Sequence, residues 1–223
     1  MTDPSQLESH YNQKQNRYFS AIRSDIVQIL PAASEKVLEV GCGSGATLNY
    51  LKEQGLSKWC AGIELSAGPA LEAKKHIDVA LQGNIEHMNL PFDDCEFDVI
   101  LCLDVLEHLV DPWAVIHKLD KLLKPGGVII ASIPNVRYYK VSTGLLFKGI
   151  WDYKDEGILD RTHLRFFTYK TAKSLMECSN LVVDKTVCLG MQKGGPRYRT
   201  NLLSFKRLTH LLTEQYLMRA IKK

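Results

Sequence analysis

The stretch Lys36-Val37-Leu38-Glu39-Val40-Gly41-Cys42-Gly43-Ser44-Gly45 decides how the rest of the chain is read. An apolar run breaks into three alternate glycines just before an amphipathic segment, the pattern of a strand, a tight turn and a helix start. Glycine tolerates positive φ and has no Cβ, so a bend built from it lets a ligand lie directly on the main chain at a helix N-terminus. The expected pocket is of the nucleotide type.

Gly41, Gly43 and Ala46 also satisfy the dinucleotide-binding fingerprint, which keeps an NAD-dependent oxidoreductase as one reading. Glu39, two residues before the first glycine, points elsewhere. A pyrophosphate would be repelled by this carboxylate, whereas an ammonium group would be attracted. With Glu39 included, the pattern resembles the first motif of class I S-adenosylmethionine-dependent methyltransferases. That resemblance implies that Glu39 meets the methionine ammonium and that Gly41, Gly43 and Gly45 shape the turn beneath the cofactor.

The strand Lys58 to Glu64 follows, and Glu64 stands about 20 residues beyond the glycines, where an acid grips ribose hydroxyls in nucleotide-binding α/β folds. Two charge-assisted hydrogen bonds to a vicinal diol would each contribute about 1.5–3 kcal/mol. Leu65, next in the chain, joins the cofactor set. Gly83-Asn84-Ile85-Glu86 resembles the loop that meets adenine in the same class, with the Asn84 carbonyl accepting from the adenine amino group and Ile85 against the ring face. Leu103 is expected to line the sulfonium region.

Beyond Glu64, helical and strand patterns alternate: Ala67 to Ala73, Val79 to Asn84, Phe97 to Asp104, Pro112 to Leu123, then Pro125-Gly126-Gly127 and a strand Val128 to Ile133. Thr168 is a candidate N-cap for a helix to Ser179. Leu181 to Leu189 alternates as a strand, Leu202 to Leu212 reads as a helix, and Gln215 to Ile221 as a last strand. The order predicts an α/β fold, a Rossmann-like, mostly parallel sheet. The resemblance implies seven strands, the last antiparallel, with helices on both faces. The expected organisation is one domain: a helical cap over 1–33 that includes Tyr11, a cofactor core over 34–134, an acceptor-site insertion over 135–167 and the remainder of the sheet over 168–223.

With 223 residues the chain can bury about 70% of its unfolded surface. Its net charge of +3 argues for no nucleic-acid partner. Six cysteines without a Cys-x-x-Cys pair read as reduced core residues. No signal peptide and no run of membrane-spanning length is evident, so the expected location is cytoplasmic. The oligomeric state is not encoded in any pattern here.

For chemistry, the resemblance implies in-line attack on a sulfonium methyl by a small-molecule acceptor, expected at oxygen. A non-catalytic module that senses the cofactor is the alternative outside enzymes. His108 is the candidate base, because an unperturbed imidazole accepts a proton near neutrality. Asp104, Glu107 and His108 resemble the cluster proposed to hold a divalent metal in ubiquinone-type O-methyltransferases. Asp stands here where those enzymes carry Glu, so the expectation is a site without metal, with Mg²⁺ on these three residues as the alternative. Asp160 to Thr168 resembles a segment of methyltransferases associated with glycan pathways. Read as a strand, it places His163 and Arg165 on one face, suited to an anionic or sugar-linked acceptor.

Overall fold

The computed structural model describes residues 20–32 and 34–223. Tyr11 and most of the expected N-terminal helical cap lie outside the described residues. What is described of that cap is a single 3-10 turn, Ser24–Ile29, which inserts Ile26 and Ile29 into the core.

Seven strands form one sheet in the order β3-β2-β1-β4-β5-β7-β6. They are β1 (Ser34–Val40), β2 (Ser57–Glu64), β3 (Val79–Gln82), β4 (Phe97–Leu103), β5 (Leu123–Pro134), β6 (Leu181–Leu189) and β7 (Gln215–Lys222). Strands β1 to β5 run parallel. The last strand, β7, is antiparallel to both neighbours, as expected, and lies between β5 and β6. The crossover from β3 through β2 to β1 and on to β4 puts the order reversal beside β1, where open α/β sheets bind ligands at the carboxyl ends of their strands.

Both faces of β1 and β4 are apolar, which marks strands buried between two layers. Leu38, Val40, Ile100 and Cys102 pack towards Ile116 and Leu119 of α3 (Pro112–Leu122). Val37 and Leu101 pack on the other side against Leu48 and Leu51 of α1 (Ala46–Glu53). The start of α3 follows from its sequence: Asp111 accepts from Ala114 N at 3.0 Å and Pro112 occupies the first turn. The helix α2 (Ala67–Ala73) connects β2 to β3.

Three local differences from the sequence reading have physical reasons. Pro125-Gly126-Gly127 lies within β5 rather than before it, where it shifts the register against β4 between Phe97 and Val99. The helix expected over 202–212 is two short ones, α6 (Pro196–Leu203) and α7 (Thr209–Leu212). Phe205 and Lys206 adopt left-handed φ values of 52° and 62°, and Lys206 N donates back to Asn201 O at 2.8 Å, a Schellman-type stop made without glycine. Residues 161–166 form no strand. Asp160 Oδ1 accepts from Thr162 N (2.8 Å) and Oγ1 (2.6 Å), which turns the chain. Thr168 does cap the next helix, α5 (Tyr169–Met176), in a capping box with Thr171.

Candidate active site

The glycine turn is built as its spacing requires. Gly41 and Cys42 both donate to Ile63 O, at 2.7 and 3.1 Å, tying the end of β1 to β2. Gly41, Gly43 and Gly45 have φ values of 72°, 54° and 78°. A Cβ on Gly41 would fall 2.5 Å from Val105 Cγ2, so both the dihedral and the space exclude a side chain there. A further close approach was not read from sequence: a Cβ on Gly62 of β2 would meet Cys42 Sγ at 2.4 Å.

Glu64 and Glu39 sit at or near the tips of adjacent strands and are both buried. Glu64 accepts from Gly43 N at 2.9 Å and Ser66 N at 2.8 Å, so it clamps the glycine turn to the loop after β2. Burial raises its pKa, and the hydrogen bonds from Ser66, Gly43 and Leu65 oppose that rise. Glu39 is only 3% exposed, and its Oε2 has no hydrogen-bond partner among the described residues. Burial pushes its carboxyl up to about 8, with the Arg23 guanidinium pulling it down and Glu64 pushing it further up. A buried carboxylate oxygen without a donor is costly unless a ligand supplies one.

Arg23 was not singled out from sequence. It reaches over the sheet from the segment before β1, pairing with Asp25 (2.9 Å) and with Asp104 and donating to Ser132 Oγ at 3.2 Å. Asp104 itself has a left-handed φ of 57°, and its other oxygen accepts from Gln215 Nε2 of β7.

A cleft of about 510 Å³, open to solvent, lies beside this turn. Leu65, Asn84, Ile85, Asp104, Val105 and His108 are among the residues lining it. Leu65, Asn84 and Ile85 thus line the same cleft. Asn84 Oδ1 already accepts from Glu86 N at 2.9 Å, so this side chain offers a ligand its remaining lone pair or its amide N–H groups. Leu103 is buried in the core layer that holds Val37 and Leu101.

At the other end of the cleft, β4 runs into a 3-10 turn Leu106–His108, all of it buried. His108 Nδ1 lies 3.1 Å from Thr162 O and His163 Nδ1 lies 3.0 Å from Ile158 O. A carbonyl can only accept, so Nδ1 is the donor in each of these contacts. The two rings meet edge to face at 4.7 Å. Ligand atoms of Glu107, His108 and His163 all lie within 4.8 Å of one another. The metal cluster weighed from sequence, Asp104 with Glu107 and His108, is therefore not the group the fold assembles: Asp104 is drawn off by Arg23 and Gln215, and His163 takes its place. One oxygen and two imidazole donors do not fit Mg²⁺, which prefers an oxygen shell. Arg165 is separate from His163, with Nε donating to Val110 O at 3.1 Å and Nη2 to the same oxygen. Glu107 O accepts from Leu164 N and Arg165 N, both at 2.9 Å, which pins this segment to the turn after β4.

Residues 11–186 match the model of a methyltransferase-domain family. The chain is similar to the ubiquinone biosynthesis O-methyltransferase of Pasteurella multocida, 36% identical over 115 residues that cover 45% of this chain and 47% of that protein. It is also similar to the enzyme of the same name from Acinetobacter baylyi, 30% identical over 109 residues, 46% of this chain and 45% of that one. The chain thus spans about half the length of the curated relatives it matches. Among solved structures, a SAM-dependent methyltransferase from Archaeoglobus fulgidus shares the fold at a TM-score of 0.63 and 16% identity, covering 99% of this chain and 100% of that one.

Proposed function

Because the chain belongs to the methyltransferase-domain family, we propose that it transfers a methyl group from S-adenosylmethionine to an oxygen of a small-molecule acceptor. The observation that carries the reading is Glu39, a buried carboxylate whose Oε2 meets no donor among the described residues. A ligand ammonium would satisfy it, and a pyrophosphate would not, which sets aside the dinucleotide alternative. Glu64 serves the ribose with lone pairs beyond those given to Gly43 and Ser66. Leu65, Asn84 and Ile85 serve the adenine, and Leu103 backs the sulfonium region.

When bound, the cofactor supplies a methyl already activated by the sulfonium charge. The protein's part is alignment, worth up to about 7–11 kcal/mol, and removal of the acceptor proton. His108 takes that proton, and Thr162 O, accepting from its Nδ1, fixes the orientation of the ring. His163 stands against His108 and shapes the same end of the cleft. Arg165, bound to Val110 O, positions the segment that carries His163. Oxygen as the acceptor atom rests on the printed names of the relatives and on the presence of a base, which an attacking hydroxyl needs more than an amine does.

Calorimetric titration with S-adenosylhomocysteine and with NADH, followed by transfer of labelled methyl into a panel of phenols, catechols, carboxylates and amines, tests the reading. Binding of the former alone and an ether product are expected. Binding of NADH instead would overturn the cofactor, an N-methyl product the acceptor atom, and tight cofactor binding without transfer to any acceptor would favour the sensing module.

A further inference from the structure

Two segments stand out once charge is placed on the fold. Residues 136–151 and 190–213 together carry eight Lys and Arg and no Asp or Glu. The whole chain is +3, so the remaining residues sum to −5, since 3 minus 8 is −5. The cations include Lys140, Lys148, Arg199, Lys206 and Arg207, and interleaved with them are the most exposed large apolar side chains described: Leu146 (75%), Phe147 (77%), Leu203 (82%) and Phe205 (88%). Among the described residues the helix α4 (Tyr139–Lys148) buries no side chain fully, and Leu145, Leu146 and Phe147 stay exposed along it. The Phe205 and Lys206 pair is held in left-handed backbone by the stop described above, which projects an aromatic and a cation outward together.

The two segments share a root. Arg197 at the start of α6 donates to Tyr138 Oη at 2.7 Å, one residue before α4. They also leave the sheet at one end: 136–151 follows β5 and 190–213 follows β6, and both strands are antiparallel to β7. That end is the carboxyl edge, which carries the glycine turn and Asp104.

We propose that α4 and the α6 to α7 turn form a docking face for an anionic lipid bilayer, lying in the headgroup layer beside the mouth of the cleft. Exposed leucines and phenylalanines set among cations that outnumber the adjoining acids, with Glu214 taken up by Arg197, are what such a surface recognises. A protein partner with an acidic surface would match the charge but would leave single leucines and phenylalanines on a protruding turn without a pocket. Among the described residues no helix is long and apolar enough to cross a membrane, so the contact is peripheral.

Co-sedimentation of the whole chain with phosphatidylcholine vesicles, with and without phosphatidylglycerol, is the test. Binding only to the anionic vesicles, lost at high salt, is expected. Lys206→Glu with Arg207→Glu should lower the partition about tenfold or more, and Leu146→Ser with Phe147→Ser should do the same without changing melting temperature or S-adenosylhomocysteine affinity. No binding to anionic vesicles, binding insensitive to both pairs, or a dimer in sedimentation velocity that the Leu146 and Phe147 pair dissolves would overturn the proposal.

Discussion

Burial pushes the Glu39 carboxyl up to about 8, with Arg23 opposing the rise and Glu64 adding to it. At pH 7 only about one molecule in eleven then carries the charge that an ammonium would pair with, and at pH 6 about one in a hundred. Apparent affinity falls by the populated fraction, so S-adenosylhomocysteine should bind about tenfold more weakly at pH 7 and about a hundredfold more weakly at pH 6 than to the fully ionised protein. At pH 8 the loss is about twofold. Binding should also release close to one proton at pH 7, which calorimetry in buffers of different ionisation enthalpy reads directly. Glu39→Gln should flatten the profile and abolish the proton release. Stability moves in the companion direction: the folded pKa is raised above the unfolded value, so this group's contribution is full below about 4.5 and is lost as pH rises through about 8. Wild type should therefore lose melting temperature between pH 6 and 9 relative to Glu39→Gln. A dissociation constant that stays level from pH 6 to 8 with no proton released would refute the reasoning, since the ammonium would then be docking away from Glu39.

Three other outcomes follow from the same geometry. Glu64→Ala leaves Gly43 N and Ser66 N without their acceptor, so it should cost about 2–5 kcal/mol in denaturant unfolding and weaken cofactor binding about tenfold or more; full stability would show that the clamp is dispensable. Gly41→Ala sets a Cβ 2.5 Å from Val105 Cγ2 at positive φ and should lower both melting temperature and cofactor affinity, whereas Gly55→Ala, with nothing near its Cβ, should bring only the cost of its φ. His108→Ala should lower kcat about 10²- to 10⁴-fold while cofactor affinity holds; equal losses in both would assign the ring to binding rather than proton transfer.

What the sequence made legible is what is local. The glycine turn, the buried acid Glu64 at a strand tip and the succession of strands and helices along the chain each declare themselves within a few residues, because turn chemistry and hydrophobic period act at that range. Arg23 could not be read the same way: its partners Asp104 and Ser132 lie 81 and 109 positions away, and only the sheet brings them together. The same distance problem exchanged Asp104 for His163 beside Glu107 and His108. The strand read over Asp160 to Thr168 missed a signal that was present, the Asp-x-Thr spacing of a side-chain-closed turn. Net charge misled in another way, since an average of +3 conceals two acid-free segments inside an otherwise acidic chain.

The position of β7 has a bearing on how this molecule is made. It follows β6 in the chain yet separates β6 from β5, so β6 has no edge to join until β7 has left the ribosome. Through that interval the β5 edge is an open template for stray pairing, and nascent chains stalled upstream of Gln215 would be the species that chaperones must shield.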